Sequence, residues 1–204
     1  EIHDPDYQTW HDTFPTLVDT SVLDQYRDAY LEGIDKADLL TINLGSNDVV
    51  SYSFGKTISA LESSDNDNPL YKAAKETLDK TGDIGAAMLK LLSGANTIGK
   101  MPVVLATLTN SLRSSINTFK QNFNACINDI YERNPDVTVV VVGLYNAFSG
   151  FVLSEDSSVN LGMLIQPTVN SMNLFLKYTA NHHRDYLFAD TTGTETYITN
   201  LSDD

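Results

Sequence analysis

The stretch that decides the fold is Val137-Thr138-Val139-Val140-Val141-Val142, five valines and one threonine in an unbroken run. β-Branched residues of this kind favour extended strands. Because apolar and polar residues hardly alternate within it, the run predicts a strand that is buried on both faces, as in the interior of a parallel sheet. Gly143-Leu144-Tyr145-Asn146 follows the run and has the composition of a turn at the carboxyl end of the strand.

Two further strands are predicted on either side of this run, at 38–44 and at 186–189. A helix is predicted at 112–131, because apolar residues recur there at steps of three and four. Further helices are predicted at 16–33, ending near Gly33; at 57–61; at 71–92, broken near Gly82-Asp83; and at 166–181, with Pro167 in its first turn. The alternation of strands and helices predicts an α/β protein with strands 38–44, 137–143 and 186–189 as parallel neighbours.

Composition excludes several classes of function. The chain has 204 residues with 13 Lys and Arg against 27 Asp and Glu, a formal net charge of −14. Nucleic acids and anionic membrane surfaces require a basic surface, so neither is expected as a partner. The single cysteine, Cys126, excludes an intrachain disulfide and a cysteine-based zinc site. No apolar run approaches the ~18 residues of a membrane-spanning helix.

Scarce cysteine and high acidity are typical of proteins secreted by bacteria. We therefore expect an extracellular or cell-surface location, although many cytoplasmic proteins share this composition and that location stays open.

The loop after the first predicted strand is the most informative for function. Ala37-Asp38-Leu39-Leu40 opens the strand, and Gly45-Ser46-Asn47-Asp48 follows it directly. Ligands of α/β sheets bind at the carboxyl ends of strands, which is where this tetrapeptide lies. An asparagine amide supplies N–H donors that do not titrate. The tetrapeptide is also compatible with a plain turn.

The stretch 37–49 resembles the Gly-x-Asn-Asp block of the SGNH hydrolases, also called the GDSL lipase/esterase family. The stretch 139–148, a strand running into Tyr145-Asn146, is similar to a later part of the same family. The resemblance implies a flavodoxin-like, three-layer α/β sandwich and the hydrolysis of a lipid or small-molecule ester by a serine nucleophile. It implies no cofactor and no metal ion.

The resemblance also implies roles for individual residues. Asn47 is the catalytic donor to the oxyanion, Gly45 and Ser46 contact the substrate, and Asp48 holds the loop by accepting backbone N–H bonds. Tyr145 and Asn146 are expected to line the substrate site, and a plain turn is an equally open alternative for these two.

Two blocks of the family do not occur in the sequence. There is no Gly-Asp-Ser, which carries the nucleophile, and no Asp-x-x-His, which supplies the base and its orienting acid. The resemblance therefore implies that residues 1–204 are a single SGNH-like domain truncated at both ends and inactive by itself. Residues 52–110 are expected to be a helical insertion that could serve as a lid over the acyl site.

Three further expectations concern the rest of the chain. A non-catalytic binding or interaction domain on the same scaffold is the alternative function, since nucleophile and base are missing. A homodimer through an exposed sheet edge is expected, because the family's first strand lies beside strand 38–44 and is missing here. His182 and His183 are interpreted as surface or helix-end residues.

Overall fold

A computed structural model of the chain describes residues 20–45, 47–64, 69–146, 148–149, 160–183 and 186–193; for residues 20–25, 47–48, 62–64 and 183 it describes the backbone alone. The elements in these ranges are α1 (Thr20–Lys36), β1 (Leu39–Ile42), a π-helical turn (Asn47–Ser51), α2 (Tyr52–Ser64), α3 (Pro69–Thr81), α4 (Ile84–Thr97), α5 (Met101–Arg133), β2 (Thr138–Val142), α6 (Leu161–His183) and β3 (Leu187–Ala189).

The three strands form a parallel sheet in the order β1-β2-β3. Leu40 pairs with Val139 and Val141 pairs with Phe188, so the strands are in the predicted neighbour relation. The prediction of a mixed α/β protein with a small parallel sheet is confirmed. Because the strands are parallel, the loops that follow β1, β2 and β3 all leave from the same edge of the sheet.

The prediction that β2 is buried on both faces is wrong for the described part of the chain. Val139 and Val141 are each 1% exposed, whereas Thr138 is exposed and Val140 and Val142 are half-buried. Side chains alternate between the faces of a strand, so only one face of β2 lies fully in the core. The unbroken valine run concealed this difference because both faces carry β-branched residues.

Thr138 lies on the less buried face of the sheet, and that face also carries exposed leucines on both neighbouring strands. The register places Leu39 beside Thr138 and Leu187 beside Val140. Leu39 is 58% exposed and Leu187 is 61% exposed. Ile42, on the opposite face of β1 from Leu39, is buried. Among the described residues β1 pairs with β2 alone, so it is an edge strand of this sheet.

The chain divides into two compact units. The sheet unit comprises residues 22–45 and 119–204, and the helical unit includes residues 46–118. The sequence predicted a single domain with an insertion at 52–110. The compact helical unit includes that range and extends beyond it at both ends.

An aromatic cluster forms much of the core of the sheet unit. The rings of Phe119 and Phe123 on α5 pack against Phe175 on α6, with ring centroids 6.1–6.3 Å apart. Tyr186 packs against Phe123 with ring centroids 5.5 Å apart, and its hydroxyl donates to the carbonyl of Leu176.

The predicted apolar face of α5 is confirmed over residues 112–130. Five of its six predicted apolar residues are buried, and Ile116 is half-buried; the buried ones are Leu112, Phe119, Phe123, Ile127 and Ile130.

The helical unit has its own apolar core. The predicted break near Gly82-Asp83 is confirmed, because α3 ends at Thr81 and Gly82 has a φ of +66°. The Asp83 side chain then caps α4 by accepting from the N–H of Ala86 at 3.0 Å. The largest fully buried side chains of this unit are those of Phe54, Ile58, Met88, Leu91, Leu92 and Leu108.

Two helix boundaries differ from the prediction. α1 continues past Gly33 to Lys36, because glycine in a helix costs only about 1 kcal/mol relative to alanine. α6 begins at Leu161, so Pro167 lies inside the helix rather than in its first turn. The Asn160 side chain caps this earlier start by accepting from the N–H of Met163 at 3.1 Å.

The predicted lengths of two further helices also differ. The short helix at 57–61 is part of α2, and α5 starts at Met101, well before 112. The early part of α5 carries threonines and serines among its apolar residues, which weakens the periodicity that sequence analysis relies on. None of the helices in the described ranges is long and apolar enough to cross a bilayer.

Candidate functional site

The loop after β1 makes a turn that requires glycine. Gly45 is buried and has a φ of +114°, a region that side-chain-bearing residues rarely adopt. A Cβ atom at this position would lie 2.6 Å from Cε2 of Phe119 and 2.7 Å from Cε of Met172. Both the backbone angle and the packing therefore make any larger residue destabilising. The predicted contact of Gly45 with the substrate stays a prediction, and its position in a sharp turn is compatible with it.

The predicted donor lies just beyond this turn. The backbone of Asn47 begins the π-helical turn Asn47–Ser51, which runs directly into α2. Ser46 and the side chains of Asn47 and Asp48 lie outside the described residues, so their predicted roles remain predictions. Turns of this rare type occur frequently at functional sites.

The π-helical turn is tied to its own helical unit by buried hydroxyl groups. The hydroxyl of Ser53 on α2 donates to the carbonyl of Val49, which lies inside the turn. Oγ of Ser53 is also 2.8 Å from Oγ of Ser115 on α5. Ser53 is 0% and Ser115 is 1% exposed, so water does not compete for these bonds. Sequence analysis did not single out either serine, because each stands among apolar residues without a motif.

The loop after β2 is fixed at the same edge of the sheet by an asparagine on α6. The side chain of Asn173 accepts from the N–H of Leu144 at 2.8 Å and donates to its carbonyl at 2.7 Å. The hydroxyl of Thr191, which follows β3, donates to the same carbonyl at 3.1 Å. The loops after β2 and β3 are thus bonded to each other. Sequence analysis missed Asn173 and Thr191, because a single polar residue near apolar helix or strand positions does not by itself indicate a role.

Asn146 holds the loop rather than presenting a free amide. It is 2% exposed, and its Nδ2 donates at 2.8 Å both to the carbonyl of Gly162 and to Oε1 of Gln166. Its Oδ1 accepts from the N–H of Phe148 at 3.0 Å. Of the two alternatives for this residue, these bonds favour the structural turn over direct substrate contact.

Tyr145 differs from its neighbour because it is 45% exposed at the carboxyl end of β2. Among residues 143–146 it is the exposed one, since Gly143, Leu144 and Asn146 are buried. The substrate-contact prediction for Tyr145 therefore stays a prediction with a compatible location.

Asp190 adds a charge where β3 ends. Hydrogen bonds from the hydroxyl of Thr192 at 2.5 Å and from its backbone N–H at 2.9 Å lower the pKa of the Asp190 carboxyl to about 2. Nζ of Lys177 lies 3.2 Å away and lowers this pKa further. The carboxylate is therefore ionised throughout the neutral range. It was not predicted as a site residue.

The histidine that the structure describes in full does not belong to this edge. His182 lies in the last turn of α6, before β3 begins, and its ring stacks on Tyr178 with centroids 3.9 Å apart. It is exposed, which confirms its interpretation as a helix-end residue. Across the described ranges, no group of three or more His, Cys, Asp and Glu side chains could hold a metal ion. Burial raises the pKa of the Cys126 thiol, so that side chain stays protonated near neutral pH.

Comparisons with known proteins do not assign a family. No family model, no curated protein and no solved structure matches the chain.

Proposed function

We propose that this chain is the central part of a serine ester hydrolase of the SGNH type, in which Asn47 donates hydrogen bonds to the oxyanion. The observation that carries the proposal is the turn at Gly45. Three residues after the parallel strand β1 ends, Gly45 adopts a conformation that favours glycine, and the chain enters a helical turn at Asn47. The Gly-x-Asn-Asp resemblance requires this combination of glycine, asparagine and strand end.

The arrangement of the other loops supports the same proposal. Parallel strands bring the loops after β1, β2 and β3 to one edge of the sheet, where α/β enzymes bind their ligands. Asn173 and Thr191 hold the second and third loops in place through the backbone of Leu144. A rigid edge of this kind suits a reaction in which donors must be fixed before charge develops.

The proposed chemistry is acyl transfer to a serine. A serine Oγ attacks the ester carbonyl while a histidine takes its proton, and the carbonyl oxygen becomes an oxyanion. Fixed neutral donors stabilise this oxygen more in the transition state than in the substrate. Serine and histidine belong to the Gly-Asp-Ser and Asp-x-x-His blocks, which the proposal assigns to sequence flanking residues 1–204 in a longer protein, called the full-length protein below. Residues 52–110 remain the predicted lid.

The experiment compares the full-length protein with residues 1–204. We expect the former to hydrolyse an activated ester such as p-nitrophenyl butyrate and to be modified at one serine by a fluorophosphonate. Residues 1–204 should show no turnover above a buffer blank. Turnover by residues 1–204 that disappears in Ser46→Ala would show that the nucleophile is misassigned. Flanking sequence without the two blocks would overturn the proposal.

A non-catalytic binding domain is the second candidate, and one observation favours it. His182 lies on the amino side of β3, away from the edge that carries Gly45 and Tyr145, so it offers no base there. On this alternative, the full-length protein would bind its ligand at the edge without turning it over. A full-length protein that fluorophosphonate does not label would favour this candidate.

A further inference from the structure

We propose that Ser53, supported by Ser115, fixes the π-helical turn and is a positioning residue for Asn47. The catalytic part of this inference rests on the proposed function; the structural part does not. All of the groups involved lie within the helical unit.

The first step is the contact between Ser53 and the turn itself. The Ser53 hydroxyl donates to the carbonyl of Val49, four residues earlier and two residues beyond Asn47. A serine that bonds to a carbonyl four residues back bends the helix locally. Val49 is fully buried, so water does not replace this bond. The bond therefore holds the turn at the point where it passes into α2.

The second step compares the number of hydroxyl protons with the number of contacts that need one. Ser53 and Ser115 have one hydroxyl proton each, but three contacts compete for them. Oγ of Ser53 faces the Val49 carbonyl, Oγ of Ser115 is 2.8 Å from the carbonyl of Ser111, and the two Oγ atoms are 2.8 Å apart. Two protons serve only two of these three contacts.

The bond from Ser53 to the Val49 carbonyl uses the Ser53 proton, so the Ser115 proton faces either the Ser111 carbonyl or Oγ of Ser53. The carbonyl of Ser111 lies inside α5, where a helical N–H also faces it, so it does not depend on the Ser115 hydroxyl. Donation from Ser115 to Ser53 and from Ser53 to Val49 leaves both hydroxyls satisfied. This order makes Ser115 the support that orients the Ser53 proton toward the turn.

The third step is a matched comparison one turn away. Thr57 donates to the carbonyl of Ser53 at 2.7 Å and lies 3.3 Å from Oγ of Ser111. Ser111 thus contributes a hydroxyl to the same pair of helices without contacting the π-helical turn. Ser111→Ala and Ser53→Ala remove the same atom from the same pair of helices, so the difference between them reports the contacts that Ser53 makes with Val49 and Ser115.

The structural test measures backbone amide hydrogen exchange in residues 1–204. Ser53→Ala should accelerate exchange in peptides covering residues 47–53 by roughly tenfold, as expected for the loss of about one net hydrogen bond. Ser111→Ala should leave these peptides unchanged. Equal exchange in the two variants would overturn the inference. If Ser53→Ala does not fold, Ser115→Ala serves in its place and should accelerate exchange in the same peptides, by a smaller factor.

The catalytic test uses the full-length protein. Ser53→Ala should lower kcat by roughly tenfold with KM nearly unchanged, less than the 10²–10³ expected for loss of the donor itself. In an Asn47→Ala background, Ser53→Ala should have no further effect on kcat, because it acts through Asn47. Additive losses would contradict the positioning role. A wild-type kcat in Asn47→Ala would instead overturn the proposed function, and the exchange result would still decide whether Ser53 fixes the turn.

Discussion

Replacing Gly45 by alanine tests the turn on which the candidate site depends. Alanine at a φ of +114° is strained by roughly 1–3 kcal/mol. The new Cβ would also lie 2.6 Å from Cε2 of Phe119 and 2.7 Å from Cε of Met172. The methyl end of Met172 is flexible and moves at little cost. The Phe119 ring is held between Phe123 and Phe175, with centroids 5.6 Å and 6.3 Å away.

The magnitude follows from these two contributions. Overpacking a rigid core costs roughly 1–3 kcal/mol, so strain and overlap together lower the free energy of unfolding by about 2–6 kcal/mol. With a urea m-value of about 2 kcal/mol per molar, the unfolding midpoint should fall by roughly 1–3 M. Urea titration followed by circular dichroism measures this shift in residues 1–204.

Two glycines provide matched controls. Gly99 has a φ of +67° but a Cβ there meets nothing within 4 Å, so Gly99→Ala reports backbone strain alone. Gly33 lies in α1 with open space around it, and Gly33→Ala should stabilise the protein by about 0.5–1 kcal/mol. Gly45→Ala should therefore be the most destabilising of the three. A midpoint within about 0.3 M of wild type for Gly45→Ala, given the same m-value, would refute the reasoning.

Three other predictions concern the sheet unit. Asn146→Ala should lower the free energy of unfolding by roughly 1–3 kcal/mol, because it removes the buried partner of Gly162, Gln166 and Phe148; urea titration measures this, and an unchanged midpoint would contradict it. The pKa of Asp190 lies near 2, below its ordinary value of 3.8, so the stability that it contributes is present above pH 4 and is lost as the pH falls toward 2. The difference in unfolding free energy between wild type and Asp190→Asn should shrink over that range, and a constant difference would argue against the hydrogen bonds from Thr192. Residues 1–204 should self-associate through the edge of β1, so the molar mass measured by light scattering should rise with protein concentration. Leu39→Lys should lower this molar mass toward that of the monomer. A molar mass that stays at the monomer value across the concentration series would show that the exposed edge is tolerated.

Local signals accounted for the part of the fold that was predicted. The valine run at 137–142 predicted a strand, and the three/four spacing from Leu112 to Ile130 predicted a helix with one apolar face. Both elements are present, although β2 is fully buried on one face only and α5 begins earlier, at Met101. Asp83, just after Gly82, marks a helix start with a side chain that the structure shows as a cap. These features depend on neighbours in sequence, which is why they were predictable.

The features that were missed depend on partners far away in sequence. β2 is fully buried on only one face because of what covers the sheet, which its own valines do not reveal. The bonds of Asn173 to Leu144 connect positions 29 residues apart, and those between Ser53 and Ser115 connect positions 62 apart. Asn146 was expected equally as a substrate contact or a turn residue, and its bonds to Gly162 and Gln166 on α6, which favour the turn, connect positions that are 16 and 20 residues away.

The most direct test of the central claim is the kcat of Asn47→Ala in the full-length protein, with Asn43→Ala as the matched control. Asn43 is an exposed asparagine in the same segment after β1, so its loss removes the same group from a position with no proposed role. The account predicts that Asn47→Ala lowers kcat by roughly 10²–10³ with little change in KM, because the oxyanion forms only near the transition state. Asn43→Ala should retain wild-type kinetics. A well-folded Asn47→Ala protein with wild-type kcat would contradict the account.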